Sequence, residues 1–275
     1  MAARNGSLAA LLLCVAAAGC ATHAHPVVPD RHARFNGHSL KLHFANANAP
    51  APRPLLVFAT GDGGMHRKDL DLYRHIQALD YPLVGFDARD YVKHLGASDT
   101  TTPERLAQDY RDMIAAAREA LHLDAPRRVV LVGVSRGAGL SVIAAGELHD
   151  AISGVVAIAL TREEEYVRWY RRLLPLPRRE VMIDVEEYLP QLGDLPLAAV
   201  QSTHDKYLPA ADARLLLGAD GPRRRLQAVD ARNHSFGGAR QQLYAAIQRA
   251  LHWVENAGSH IPDPGSRIPD PGSRR

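Results

Sequence analysis

Arg128-Val129-Val130-Leu131-Val132-Gly133-Val134-Ser135-Arg136-Gly137-Ala138-Gly139 decides how this chain folds. A β-branched apolar run enters Gly-x-Ser-x-Gly, and an Ala/Leu-rich segment of helical character leaves it, through about Leu148. The order is strand, sharp turn, helix. Such a turn forces Ser135 into a strained backbone conformation. Gly133 and Gly137 leave room for the two limbs to approach, and the hydroxyl is pushed out at the carboxyl end of a central strand, as in a nucleophile elbow. An ordinary glycine-rich βα turn is the competing reading.

Further buried strands lie on both sides of the elbow. Upstream, Pro54–Ala59 is a continuous apolar run and Leu83–Asp87 reads as the next buried strand, as do Gly154–Leu160 and Leu197–Ser202 downstream. Uninterrupted runs suit strands covered on both faces of a parallel sheet. Ser39–Phe44 alternates instead, as a half-buried first strand does, and Arg224–Val229 reads as the last strand. Helices are expected over Asp69–Leu79, after a Thr102 cap with Pro103 at its first position, and over about Ala239–Val254. In the Thr102 helix, Leu106, Tyr110, Met113, Ile114 and Leu121 fall on one face. Strand and helix alternating at this spacing imply right-handed crossovers and an α/β, doubly wound, mostly parallel sheet.

The rhythm breaks at residues 161–195, too long for a simple connection, which read as a small helical cap over the site. Thr161 and Glu164 make a capping box for a helix from Glu163 to about Leu174. Within it, Val167–Leu174 mixes aromatics, leucines and arginines. It suits either an anionic bilayer surface or a helix with one face on the core. Asp184, Glu186 and Glu187 read as a solvated acidic loop or as a wall for a cationic substrate.

Three chemical groups follow one another at strand ends: Ser135, then Asp205 in Thr203-His204-Asp205-Lys206-Tyr207, then His234 in Asp230–Gly238. A hydroxyl is a poor nucleophile near neutral pH. It needs an imidazole to take its proton, and the imidazole needs a carboxylate to fix its tautomer and stabilise its cation. The order Ser, Asp, His is that of α/β-hydrolases. Asp87, at an earlier strand end, is the alternative acid, and His204 reads as a loop residue. Thr60-Gly61-Asp62-Gly63-Gly64 occupies the place of half an oxyanion hole. Gly61 and Asp62 are its expected amide donors, and the amide of Arg136 is the other half. The Arg136 side chain meets either a substrate phosphate or carboxylate, or a nearby acid.

A chain of 275 residues with net charge +3 and 46% hydrophobic content fits one sizeable domain. Charges of mixed sign along it argue against a nucleic-acid partner. Residues 1–20 read as a targeting segment: Arg4, an apolar core over Leu8–Ala18, then Ala17-Ala18-Gly19-Cys20. Small residues before a cysteine suggest a lipoprotein signal cleaved before Cys20 and lipidated there; a plain secretory signal is the alternative. Either way the protein is expected to leave the cytoplasm. Residues 21–37 read as a flexible tether whose irregular histidines (His23, His25, His32, with His38 beyond) suit a solvated linker better than a metal site. The domain itself is read over 38–257. The tail 258–275 repeats Ile-Pro-Asp-Pro-Gly-Ser-Arg at 261–267 and 268–274 and reads as disordered. Cys14 and Cys20 are the only cysteines, so the mature domain is expected to have no disulfide and no thiolate metal site, and no cofactor is called for.

The chain resembles the AcvB/VirJ family of bacterial virulence-associated α/β-hydrolases. The resemblance rests on Thr60–Gly64, similar to the family's Ser-Gly-Asp-Gly-Gly, on Val84-Gly85-Phe86-Asp87, on Gly133–Ala138, and on His234-Ser235-Phe236-Gly237-Gly238. It covers about residues 55–250. Departures are Val134 where the family has Tyr, Gly139 where it has Asp, and Met65 where it has an aromatic. The resemblance implies a periplasmic or membrane-attached protein, linked to hydrolysis of the aminoacyl ester of aminoacylated phosphatidylglycerol, chiefly the lysyl form, and to type IV secretion proteins. The residues alone fit any serine esterase, including a general carboxylesterase or lipase. They also fit a binding protein on a hydrolase scaffold.

Overall fold

The computed structural model describes residues 27–35, 38–49, 52–93, 102–123, 127–149, 151–165 and 182–258. Its elements are β1 (Arg31–Phe35), β2 (His38–Ala45), β3 (Leu55–Ala59), α1 (Arg67–Gln77), β4 (Leu83–Phe86), α2 (Ala88–Lys93), α3 (Pro103–Ala120), β5 (Val129–Val134) and α4 (Arg136–Leu148). They continue with β6 (Gly154–Ile158), β7 (Glu163–Glu165), β8 (Met182–Asp184), β9 (Leu197–Ser202), α5 (Ala210–Leu217), β10 (Arg224–Val229) and α6 (Arg240–Gly258).

Eight strands form one sheet in the order β1-β2-β4-β3-β5-β6-β9-β10. β2 is antiparallel to both β1 and β4, and the other pairs are parallel. Every residue of β3, β4, β5, β6 and β9 is buried, whereas the edge strand β10 is only partly so. The pleat sends successive side chains to opposite faces. Leu55, Val57 and Ala59 of β3 join a core with Tyr110, Met113 and Ile143 from α3 and α4. Leu56 and Phe58 join a second core with Leu72 and Ile76 of α1 and Leu243 and Ile247 of α6. Apolar residues at every strand position are therefore needed, because helices cover both faces.

Thr102 caps α3 as expected: its side chain accepts from the Arg105 amide at 3.2 Å, and Pro103 follows. Two expectations are corrected. The segment read as a tether contributes β1, which pairs with β2 from Arg31↔Leu42 to Phe35↔His38. Alternation over only five residues, four of them partly or fully exposed, left it without a pattern to read. The helix expected from Glu163 begins instead as β7, antiparallel to β8 with Glu163↔Asp184. A capping box is a local preference, and pairing with a strand some twenty residues away overrides it. The rest of that helix, including Trp169, lies outside the described residues, as do Cys20 and the repeats at 261–274.

Candidate active site

β5 delivers the chain to Ser135, whose φ is +50° and ψ −115°. Its amide donates to Ile158 O at 2.8 Å, tying the turn to the end of β6. A positive φ at a non-glycine residue costs of order 1–3 kcal/mol, so the surrounding packing has to impose it. The two glycines show how. A methyl on Gly133 would stand 2.1 Å from Gly137 O, and one on Gly137 would stand 2.3 Å from Ala59 O. Only bare backbone fits where β3, β5 and α4 converge.

His234 Nε2 lies 2.9 Å from Ser135 Oγ, and its Nδ1 lies 2.6 Å from Asp205 Oδ2. Three strand-end loops separated by as many as 99 residues thus meet in one hydrogen-bonded line. Asp205 is 1% exposed, and its Oδ1 accepts from the amides of Tyr207 (2.9 Å) and Leu208 (3.4 Å). A buried carboxylate needs such donors. The loop carrying His234 is built around Asn233, whose Oδ1 accepts from the Ser235 and Gly237 amides. Phe236, at φ +54°, is buried beneath it. The Tyr207 ring meets the His234 ring edge-on at 4.9 Å.

The glycine loop lies against the elbow. The site of a Gly61 Cβ is 3.2 Å from Ser135 Cβ and 3.4 Å from Asp69 Oδ2. The Gly61 amide donates to Asp69 Oδ2 at 2.8 Å. It is therefore directed at a carboxylate, and the expectation that Gly61 is an oxyanion donor is corrected. Asp69, on α1, has its carboxyl raised above the ordinary range by burial. Repulsion from Asp87 and Asp62 adds to this, and the Gly61 bond opposes it. It is Asp205, and not Asp87, that meets His234. Asp87 Oδ2 accepts from the Met65 amide and its Oδ1 from the Asp90 amide, both at 2.9 Å, so it fastens the glycine loop to α2. Thr60 Oγ1 adds a bond from the Ala88 amide at 3.0 Å. The Arg136 guanidinium pairs with the Asp62 carboxylate, which is the second of its two expected roles. That pair links the side chains of the two remaining donor residues.

His204 is a loop residue, with Nδ1 3.0 Å from Thr203 Oγ1 and 3.1 Å from Ala231 O. Asp184 Oδ1 caps a 3-10 turn by accepting from the Glu186 amide, and Glu186 and Glu187 are exposed, as a solvated acidic loop requires. Sequence reasoning missed Asp69, Tyr207 and Gln201. Gln201 alone carried a signal, as a polar residue in the apolar strand Leu197–Val200. Among the described residues no group of three or more His, Cys, Asp or Glu could hold a metal, and no helix is long and apolar enough to cross a membrane.

Residues 54–166 match the family model described as bacterial virulence protein (VirJ). Over this segment the chain is similar to the VirJ family. The VirJ segment contains Gly61, Asp62, Ser135 and Arg136 and ends before Asp205 and His234. No curated protein matches the chain. Among solved structures, the chain is similar to Est1E from Butyrivibrio proteoclasticus, with a TM-score of 0.59 and 14% identity over 82% of this chain and 99% of that one. It is also similar to a soluble variant of monoglyceride lipase from Saccharomyces cerevisiae, with a TM-score of 0.58 and 11% identity over 84% and 96% of the two chains. An alpha-beta serine hydrolase homologue from Coxiella burnetii matches with a TM-score of 0.54 and 14% identity over 85% and 99%. At these identities the likeness is one of fold: the chain has the α/β-hydrolase fold.

Proposed function

We propose that the protein is a serine hydrolase of carboxylic esters. The observation that carries the reading is the continuous line Ser135 Oγ, His234 Nε2, His234 Nδ1, Asp205 Oδ2. His234 takes the hydroxyl proton as Ser135 attacks the ester carbon, and Asp205 holds the tautomer that leaves Nε2 free to accept it. The tetrahedral oxyanion is met by the amides of Asp62 and Arg136. Removing one such donor typically costs about 3–4 kcal/mol of transition-state stabilisation. His234 then returns the proton to the leaving alcohol. Water, deprotonated by the same imidazole, releases the acid and regenerates Ser135.

The resemblance to the AcvB/VirJ family implies the aminoacyl ester of aminoacylated phosphatidylglycerol as the substrate. A lipid on Cys20 in the periplasm would hold the enzyme beside that ester. The test is fluorophosphonate labelling of wild type, Ser135→Ala and His234→Ala, followed by release of amino acid from lysyl-phosphatidylglycerol vesicles. Wild type alone is expected to label and to release lysine. A folded wild type that does not label refutes the hydrolase reading and turns attention to secretion proteins as binding partners. Labelling without lysine release refutes the lipid and leaves a general esterase.

A further inference from the structure

β9 is apolar until Gln201, whose side chain is wholly buried at the strand's carboxyl end. Its Nε2 lies 3.1 Å from Leu160 O, 2.5 Å from Leu208 O and 3.1 Å from Asp205 Oδ2. Its Oε1 has no partner among the described residues. All three neighbours of Nε2 are acceptors, which fixes the orientation of the amide. Turned over, it would press an oxygen against two carbonyls and a carboxylate. The two amide hydrogens serve three acceptors, so one is shared.

We propose that Gln201 is a positioning residue of the triad, setting both the orientation and the electron density of Asp205 Oδ2. This rests on the triad reading above. The carboxylate is held at both ends: Oδ1 by two backbone amides, Oδ2 by His234 and Gln201. Rotating it breaks bonds at each oxygen. The Gln201 hydrogen also draws charge from the oxygen that accepts the His234 Nδ1–H hydrogen bond, which weakens the stabilisation the carboxylate gives to the imidazolium. A buried group left with an unsatisfied oxygen is costly to keep, and an apolar side chain of similar size would move that cost to Leu160 O and Leu208 O, which would lose the Nε2 donor. Its retention beside the triad acid is accounted for by what its nitrogen does there.

The charged and titratable groups around His234 are Asp205, Ser135, the Tyr207 ring, and Lys206, whose ammonium lies 4.5 Å from the centre of that ring. His204 and Asp230 sit on the neighbouring loops and are linked through Thr203.

The test uses Gln201→Met and Gln201→Leu in the intact domain. Ester hydrolysis is followed from pH 5 to 9, and the His234 Nδ1 proton is followed by NMR. Loss of the donor leaves the carboxylate with more charge and favours the imidazolium. The acid limb of the kcat/KM profile is expected to move up by about half a pH unit and kcat to fall about tenfold, with KM little changed. The Nδ1 proton resonance should move with them. A role in stability alone lowers the melting temperature without moving limb or resonance, and that result overturns the proposal. If neither variant folds, the wild type decides. The Gln201 side-chain amide signals should respond when the triad histidine titrates, and their indifference overturns it. A wild type that fails to label with fluorophosphonate refutes the hydrolase reading; a labelled wild type with unaltered variants refutes only the role of Gln201.

Discussion

Replacing Gly137 by alanine tests whether the elbow and the glycine loop are one mechanical unit. The new methyl would stand 2.3 Å from Ala59 O, 2.5 Å from Thr60 O and 2.6 Å from Ala59 C, all backbone atoms. Ordinary carbon–oxygen contact begins about 1 Å farther out, so two pieces of main chain have to separate by roughly that distance. Relief comes either from the end of β3, which leads straight into Asp62, or from the first turn of α4, which carries Arg136. Each route displaces one proposed oxyanion donor relative to the other. Overpacking of this kind costs about 2 kcal/mol, equivalent to a melting temperature about 4–8 °C lower for a domain of this size. An ångström of misplacement at the reacting centre costs about 100-fold in rate. The assay is thermal unfolding by circular dichroism together with turnover of a p-nitrophenyl ester and the rate of fluorophosphonate labelling. Gly146→Ala is the control in the same helix. Its methyl would meet only the Gln191 side chain, at 3.1 Å, and a helical alanine gains up to about 1 kcal/mol over glycine. Gly137→Ala with wild-type turnover and an unshifted melting temperature would refute the reasoning.

Asp69→Asn should raise the melting temperature at pH 7.5. Burial raises the Asp69 carboxyl, so its favourable contribution to folding is present below the ordinary carboxylate range and is lost as pH rises through the folded-state value. The advantage of the variant should therefore shrink towards pH 4, and a gap that does not change with pH would count against a charged, buried Asp69. Asn46→Ala should destabilise by about 2–3 kcal/mol in urea denaturation. Buried Asn46, at φ +58°, donates from Nδ2 to Gln77 O at 2.7 Å and Tyr81 O at 2.9 Å, joining the end of β2 to the turn before β4. An effect below about 0.5 kcal/mol would show those carbonyls to be satisfied otherwise.

The sequence alone was enough for the parallel sheet, the elbow and the order of the three site residues. Runs such as Leu55–Ala59 and Val129–Val134 are apolar at every position because helices cover both faces, and that requirement is written locally. The strain at Ser135 is likewise announced by the glycines two residues to either side. Choices between chemically equal groups waited for tertiary structure. Asp87 and Asp205 both end strands, but only Asp205 meets His234, because β9 lies beside β10 in the sheet. Gly61 and Asp62 are adjacent amides, and a carboxylate eight residues on, brought round by α1, takes the first of them. β1 and β7 are too short to carry a period and exist through their partners. Patterns that depend on which face of an element is covered are repeated along the chain and can be read from it. The direction of a single amide or carboxylate is set by partners that only folding brings near.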